Sequence, residues 1–239
     1  MLQFLGRGSA FTANHNCAIF EADGGAVLLD CPMSAFQRLM PIAMQKSWSQ
    51  ITVLVTHTHG DHAGGIPMLI HFAKYVLHIP VTVIAPSGAV ADDLRLLIER
   101  LDGCAPDAYS MVTADRAPDW LTAAVPVRHA EALAGKCFGY VLRIDGQDTV
   151  YTGDTAELEP FLPYLHSGAL LCTEVSAYDT GVHLYVDAIL PELRRLSAMG
   201  VQIYLMHMDD EAAIAEKTRG TGAVFAPLIG KNPASESHC

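Results

Sequence analysis

Six consecutive residues, His57-Thr58-His59-Gly60-Asp61-His62, constrain this chain more than any others. They set three imidazoles and a carboxylate directly behind the apolar run Ile51-Thr52-Val53-Leu54-Val55. A short β-branched run of this kind reads as a buried strand, and Gly64-Gly65 beyond the loop lets the chain turn away. A strand end holds the loop's backbone still, so its side chains can converge on one point. Neutral imidazole together with carboxylate oxygen suits zinc, iron or manganese. Residues 56–62 therefore read as a metal-binding loop. The competing explanation, a polar loop with accidental histidines, is the poorer one because further donors close later strands.

Three such donors follow. Val125-Pro126-Val127-Arg128 closes in His129, Thr149-Val150-Tyr151-Thr152-Gly153 in Asp154, and Val201-Gln202-Ile203-Tyr204-Leu205-Met206 in His207. Taken singly, His129 or His207 would pass for a core or turn residue. Together with His57, His59, Asp61 and His62 they make a set of seven donors.

The pattern His57-x-His59-x-Asp61-His62 with His129, Asp154 and His207 resembles the ligand set of the metallo-β-lactamase fold superfamily, over residues 53–208. The resemblance implies an α/β protein built as a four-layer αββα sandwich with the metals at one edge. It implies two divalent ions, zinc first and manganese or iron as alternatives. His57, His59 and His129 would hold one ion, and Asp61, His62 and His207 the other. Asp154 would bridge them, and Asp61 would also belong to the catalytic group. Strand, hairpin and helix material recurs on both sides of the middle of the chain, as such a sandwich needs. The superfamily hydrolyses many kinds of bond, so the likeness leaves the substrate open.

Three further features narrow it. The opening Gly6-Arg7-Gly8-Ser9-Ala10, followed by a hairpin that ends in Asp30, resembles the ribonuclease Z branch and its smaller phosphodiesterase relatives. On that likeness Gly6, Arg7, Gly8 and Ser9 would bind substrate, the glycines letting backbone N–H groups approach a phosphate. A turn that needs only positive φ explains them equally well. Asp30 would stand behind the ligands and orient the metal loop through a hydrogen bond. Glu174, closing the run 170–173, and His183, nine residues on, resemble the paired glutamate and histidine that act at the scissile phosphate in ribonuclease Z. The plainer reading is a turn-capping glutamate and a surface histidine.

The resulting expectation is a phosphodiesterase for a small cyclic or nucleotide-like substrate. A hydroxide held between the metals attacks, and His183, held protonated by Glu174, assists the leaving oxygen. The alternative is a hydrolase of lactones, thioesters or β-lactams, for which Tyr178 or Tyr185 would donate the proton.

Charge and composition bear on partners. The formal net charge is -11 and the Lys and Arg residues are scattered, which opposes binding to a nucleic acid backbone. Nothing resembles the Gly-rich basic arm with which ribonuclease Z proteins hold tRNA, so a small anionic substrate is expected instead. No run approaches the ~20 apolar residues of a membrane span and no export signal opens the chain, so the expected location is the cytoplasm, away from membranes. Relatives in the superfamily commonly dimerise, which leaves a homodimer open without a residue to establish it. The six cysteines are too widely spaced for a disulfide framework and read as thiols.

A single domain over residues 1–239, with a mobile tail near 232–239, accommodates all of this. Asp23-Gly24-Gly25 and Asp145-Gly146 read as hairpin turns. Residues 34–44, 66–76 and 87–101 read as helices, as do a stretch beyond 186 and 211–218. His71 and His78 read as plain surface or core histidines. Residues 102–120 have weak periodicity and are expected to be irregular, lining or covering the site.

Overall fold

The computed structural model describes residues 1–230; the tail expected at 232–239 lies outside the described residues. Two six-stranded sheets run in chain order, β1 to β6 in the first and β7 to β12 in the second. The first holds β1 (Gln3–Gly6), β2 (Cys17–Ala22), β3 (Gly25–Leu29), β4 (Ile51–Leu54), β5 (Val81–Ala85) and β6 (Ser110–Thr113). The second holds β7 (Leu121–Pro126), β8 (Phe138–Ile144), β9 (Gln147–Tyr151), β10 (Leu170–Glu174), β11 (Gln202–Met206) and β12 (Val224–Phe225). Each sheet begins with antiparallel pairs and continues with parallel ones, which start at β3–β4 and at β9–β10. The halves thus share one topology.

Alternation along the strands builds the layers. In β3, Ala26 and Leu28 face a core shared with the helices α1 (Met33–Ala43) and α3 (Ile66–Phe72), whereas Val27 and Leu29 face the other sheet. In β10, Leu171 faces α5 (Val186–Ala198), and Leu170 and Cys172 face the first sheet. A strand buried on both faces must be apolar at successive positions, which explains the unbroken runs in the sequence. The expected four layers, αββα, are those observed.

The tight turns follow from local chemistry. Asp23 and Gly24 have φ of 52° and 74°, and Asp145 and Gly146 have 49° and 82°, the left-handed pairs that two-residue hairpins require. Ser87 caps α4 (Gly88–Arg95) by accepting from the Val90 N–H, and Asp210 caps α6 (Glu211–Lys217) by accepting from the Ala213 N–H. Both α3 and α4 run on as π-helical segments, Ala73–Leu77 and Leu96–Leu101.

One expectation is corrected. Residues 102–120 contain β6, which pairs with β5 from Thr82 to Ala85 and forms the outer strand of the first sheet. Trp120 packs edge-on against Phe20, and its Nε1 donates to Asp23 at the β2–β3 turn. That turn lies at the end of β3 opposite Asp30, so Trp120 braces the far edge of the sandwich. The open backbone edge of β5 recruits the segment in spite of its weak side-chain pattern.

Candidate metal centre

The parallel strands place their carboxyl ends together, and the donors sit on the turns that follow. His57 and His59 leave the end of β4; Asp61 and His62 lie on the short helix α2 (Gly60–Ala63). His129 follows β7, Asp154 follows β9 and His207 follows β11. All seven fall into two groups of mutually close donor atoms, His57, His59 and His129 in one, and Asp61, His62, Asp154 and His207 in the other. His59 Nδ1 stands 2.9 Å from His57 Nε2 and 3.4 Å from His129 Nε2. His207 Nε2 stands 3.3 Å from Asp61 Oδ2 and 3.4 Å from Asp154 Oδ2. Asp154 Oδ2 also faces His129 Nε2 at 3.7 Å and His57 Nε2 at 3.9 Å, so this carboxylate spans both groups.

The donor set fits divalent cations on a direct test. His62 Nε2 and Asp154 Oδ1 are buried with no hydrogen-bond partner among the described residues, yet stand 3.3 Å apart. A buried polar atom left unpaired costs roughly 1–3 kcal/mol, and a cation between such atoms removes that cost. Burial lowers the pKa of His57, His59 and His129, which keeps these imidazoles neutral as metal donation requires.

Asp30 stands where the sequence puts it, behind the loop. Its Oδ1 accepts from the Thr56 N–H at 2.7 Å, and its Oδ2 from Thr56 Oγ1 and His62 Nδ1, each at 2.8 Å. The carboxylate thereby sets the His62 ring so that Nε2 points at Asp154. Asp30 and His207 hold φ of 65° and 50°, left-handed for residues with side chains, at the points where strands deliver them to the centre.

The two halves meet here. The Phe138 N–H donates to the Thr56 carbonyl at 3.2 Å, and the Tyr140 hydroxyl donates to the Val55 carbonyl. Gly153, with φ of 60°, passes so close that an added Cβ would lie 2.6 Å from the Phe138 oxygen and 3.1 Å from Thr56 Cγ2. Only glycine lets the Asp154 turn come this near the first loop.

Glu174 and His183 form a pair beside the donors. His183 Nδ1 lies 2.7 Å from Glu174 Oε2, and the Thr155 N–H donates to Oε1. The His183 ring stands between those of His129 and His207, with centroids 4.9 Å and 5.4 Å away. Burial works against a charge on His183, and the hydrogen bond and charge of Glu174 overcome it, raising the imidazole to about 9. Glu174 thus takes a backbone N–H of the turn after Asp154 and also holds His183, which is half-buried rather than a free surface residue.

The opening loop is placed differently from the expectation of a phosphate cradle. Arg7 Nε and its terminal nitrogen donate to Glu211 at 2.9 Å and 3.0 Å, and the guanidinium also donates to the Ala226 carbonyl and lies over the Phe225 ring. The Gly8 N–H donates to Asn14 O and the Ser9 N–H to Met208 O. A Cβ on Gly6 would meet His15 O at 2.2 Å, and one on Gly8 would meet Thr12 Oγ1 at 2.2 Å. Close packing of the 6–15 loop thus accounts for Gly6 and Gly8, and Ser9 ties that loop to the residue after His207.

Several supports escaped the sequence reading. Thr56 Oγ1 lies 3.0 Å from His57 Nδ1, and His129 Nδ1 bonds the Val182 carbonyl at 2.8 Å. Asp209 accepts from Ser176 Oγ and the Ala177 N–H, fixing the turn after β10. Of these only Thr56 had a signal, a polar residue ending an apolar strand beside a histidine; a backbone carbonyl has none.

Fold and site together define a metallohydrolase of the β-lactamase kind, and the chain belongs to the family described as the beta-lactamase superfamily domain, which matches residues 26–225. More particularly, it is 30% identical over 228 residues to the Anti-Pycsar protein Apyc1 of Saccharibacillus brassicae, covering 87% of this chain and 90% of that one. Its fold is similar to that of the metallo-beta-lactamase fold protein YhfI from Bacillus subtilis, with a TM-score of 0.71, 14% identity and coverage of 95% and 97%. A diphosphatase of the PhnP family shares the fold at a TM-score of 0.68 and 16% identity, over 95% of this chain and 94% of that one. Among the described residues no helix is long and apolar enough to cross a membrane.

Proposed function

We propose that this protein is a metal-dependent phosphodiesterase that hydrolyses a small cyclic nucleotide in the cytoplasm, with two divalent ions, zinc foremost, on the seven donors. The observation that carries the reading is the Glu174–His183 pair, an imidazole anchored by a buried carboxylate at the edge of the donor cluster. The likeness to the Anti-Pycsar proteins supports the substrate class.

Divalent ions held by these donors would supply Lewis acidity to the phosphoryl oxygens and would lower the pKa of the attacking water. The chain's own residues do the rest. Glu174 fixes His183 through Nδ1, which leaves Nε2 to hand its proton to the departing ribose oxygen as the P–O bond breaks and a water oxygen takes its place at phosphorus. Asp30 keeps His62 in register, and the Val182 carbonyl does the same for His129.

A cavity of about 480 Å³ adjoins His183, lined among others by Arg128, Glu157, Glu159, Asp179 and Tyr185. Its carboxylates outnumber its cation, so it suits the uncharged, hydrogen-bond-donating part of a nucleotide, with the phosphate drawn to the metals instead. Of the tyrosines that a carboxylic-ester reading would use, one is engaged elsewhere and the other faces solvent. The Tyr185 hydroxyl donates to Asp187, and Tyr178 stands exposed.

The test is turnover by the full chain, stripped of metal and reloaded with zinc or manganese, on a panel of cyclic nucleotides, bis(p-nitrophenyl) phosphate, p-nitrophenyl acetate and a simple lactone. Metal-dependent opening of a cyclic nucleotide, lost in His183→Ala at unchanged metal content, is the expected result. Turnover confined to the ester or lactone would sink the proposal.

A further inference from the structure

Away from the seven donors, three side chains that the phosphodiesterase reading does not use converge. They are His71 on α3, and Asp102 and Cys104 on the turn that ends the helix begun by α4. The turn itself explains why the last two stand together. Asp102 N–H returns to the Leu97 carbonyl and Cys104 N–H to the Ile98 carbonyl, with Gly103 between them at φ of 80°. This is a glycine-centred helix stop, and it puts the flanking side chains over the Pro67 and His71 turn of α3, where Cys104 Sγ lies 3.7 Å from the Pro67 carbonyl.

The distances are informative. Cys104 Sγ stands 3.3 Å from His71 Nε2, His71 Nε2 stands 3.3 Å from Asp102 Oδ2, and Sγ stands 3.8 Å from that same oxygen. Thiolate, imidazole and carboxylate around tetrahedral zinc, with bonds of about 2.0–2.3 Å, sit about 3.3–3.6 Å from one another. The triangle therefore has nearly the dimensions that one ion imposes. Its His71–Asp102 edge is slack for an N–H···O hydrogen bond, which spans about 2.7–3.2 Å, while the two sulfur edges fall within the longer reach of sulfur hydrogen bonds.

A nucleophilic relay of Cys, His and Asp does not fit, because it needs the two ring nitrogens to face different partners. Here Cys104 and Asp102 both approach Nε2. Tyr75 stacks flat on the His71 ring at 6.0 Å, holding its plane, and the nearby Lys74 ammonium is turned to Asp107. Cys104 is 2% exposed, whereas the His71 and Asp102 side chains are 32% and 36% exposed, so the open side of the triangle faces water.

We propose that His71 Nε2, Asp102 Oδ2 and Cys104 Sγ form an additional binding site for one zinc-class divalent cation, with solvent as the fourth ligand. The ion staples the end of α3 to the end of the following helix. On binding, the Cys104 thiol gives its proton to solvent and the sulfur–metal bond takes its place; no redox change occurs.

Cobalt(II) separates this site from the catalytic one, because the seven donors there include no sulfur. The full chain, stripped by chelation and titrated with cobalt, is expected to develop a near-ultraviolet thiolate-to-cobalt band whose final amplitude corresponds to one thiolate-bound ion per chain, beside the ions on the seven donors, and which zinc bleaches. Cys104→Ser is expected to lose the band and one equivalent of bound metal, with hydrolytic turnover retained. Asp102→Asn, at a part-exposed position that tolerates change, is expected to keep the band but to bind cobalt at least ~10-fold more weakly, the loss that even an outer partner causes. Absence of the band in the wild-type chain, or its persistence in Cys104→Ser, overturns the proposal, and neither outcome depends on what the hydrolase acts upon.

Discussion

The two halves of the molecule have the same strand pattern but distribute their chemistry in opposite ways. In the first half the donors His57, His59, Asp61 and His62 crowd one loop after β4, and the carboxylate after β3, Asp30, braces them. In the second half the corresponding strand, β9, delivers Asp154 among the donors themselves. The strand corresponding to β4, β10, ends in Glu174, which holds His183 instead of facing the cluster with a donor loop. The lesson is that a parallel strand end is a mounting point. Whether its carboxylate ligates, braces or tunes depends on how far it reaches past the strand and on what stands opposite.

The comparison breaks most severely at Asp154. Asp154→Ala removes a carboxylate that faces both donor groups, so turnover should fall by about 10²–10³-fold, the cost of losing a strong electrostatic stabiliser. Elemental analysis should show less bound metal; an unchanged metal content and rate would refute the spanning role.

His183→Ala should cost about 10²–10⁴ in kcat, the range for a lost general acid, with metal content unchanged. Its partner sharpens the point: Glu174→Gln keeps the shape of the side chain but removes the charge that raises His183. The alkaline limb of the rate profile should then move to lower pH, because an imidazole held near 9 loses its proton earlier once that charge is gone. A profile that stays in place would assign Glu174 a packing role only.

Asp30→Asn tests the bracing carboxylate of the first half. It should weaken metal binding by about 10–100-fold, measured by competition with a chromophoric chelator, and leave the sandwich folded. An effect as large as that of Asp154→Ala would erase the distinction between brace and ligand.

The smallest effect on chemistry is expected at Arg7. Its guanidinium bonds Glu211 and the Ala226 carbonyl, so Arg7→Met should lower stability by about 2 kcal/mol in denaturant titrations. KM should not change; a large rise would return the opening loop to a role in holding phosphate.

These contrasts also mark what could be read from residues alone. The first half was legible because its donors are adjacent in sequence and follow a strand with an unmistakable apolar run. The second half was legible only through a learned pattern, since His129, Asp154 and His207 lie far apart and each is unremarkable alone. Residues 102–120 misled because an edge strand is set by the open hydrogen bonds of its neighbour, β5, and needs little pattern of its own. Gly6-Arg7-Gly8 misled because a glycine that lets a ligand approach and a glycine that lets another loop approach look the same until the Cβ has something to strike.

The sequence by itself determined the donors of the first loop and the apolar strands, because ligand chemistry and hydrophobic patterning are local properties of a chain, while the later donors and the four layers followed from the superfamily resemblance. Only the tertiary structure decided that Asp154 spans both donor groups, that Glu174 holds His183 beside them, that Arg7 turns to Glu211, and that His71 meets Asp102 and Cys104. Each of these depends on a distance of a few ångströms between residues far apart in sequence. Such distances are set by how two sheets and their helices pack, a cooperative outcome that no single stretch of residues contains.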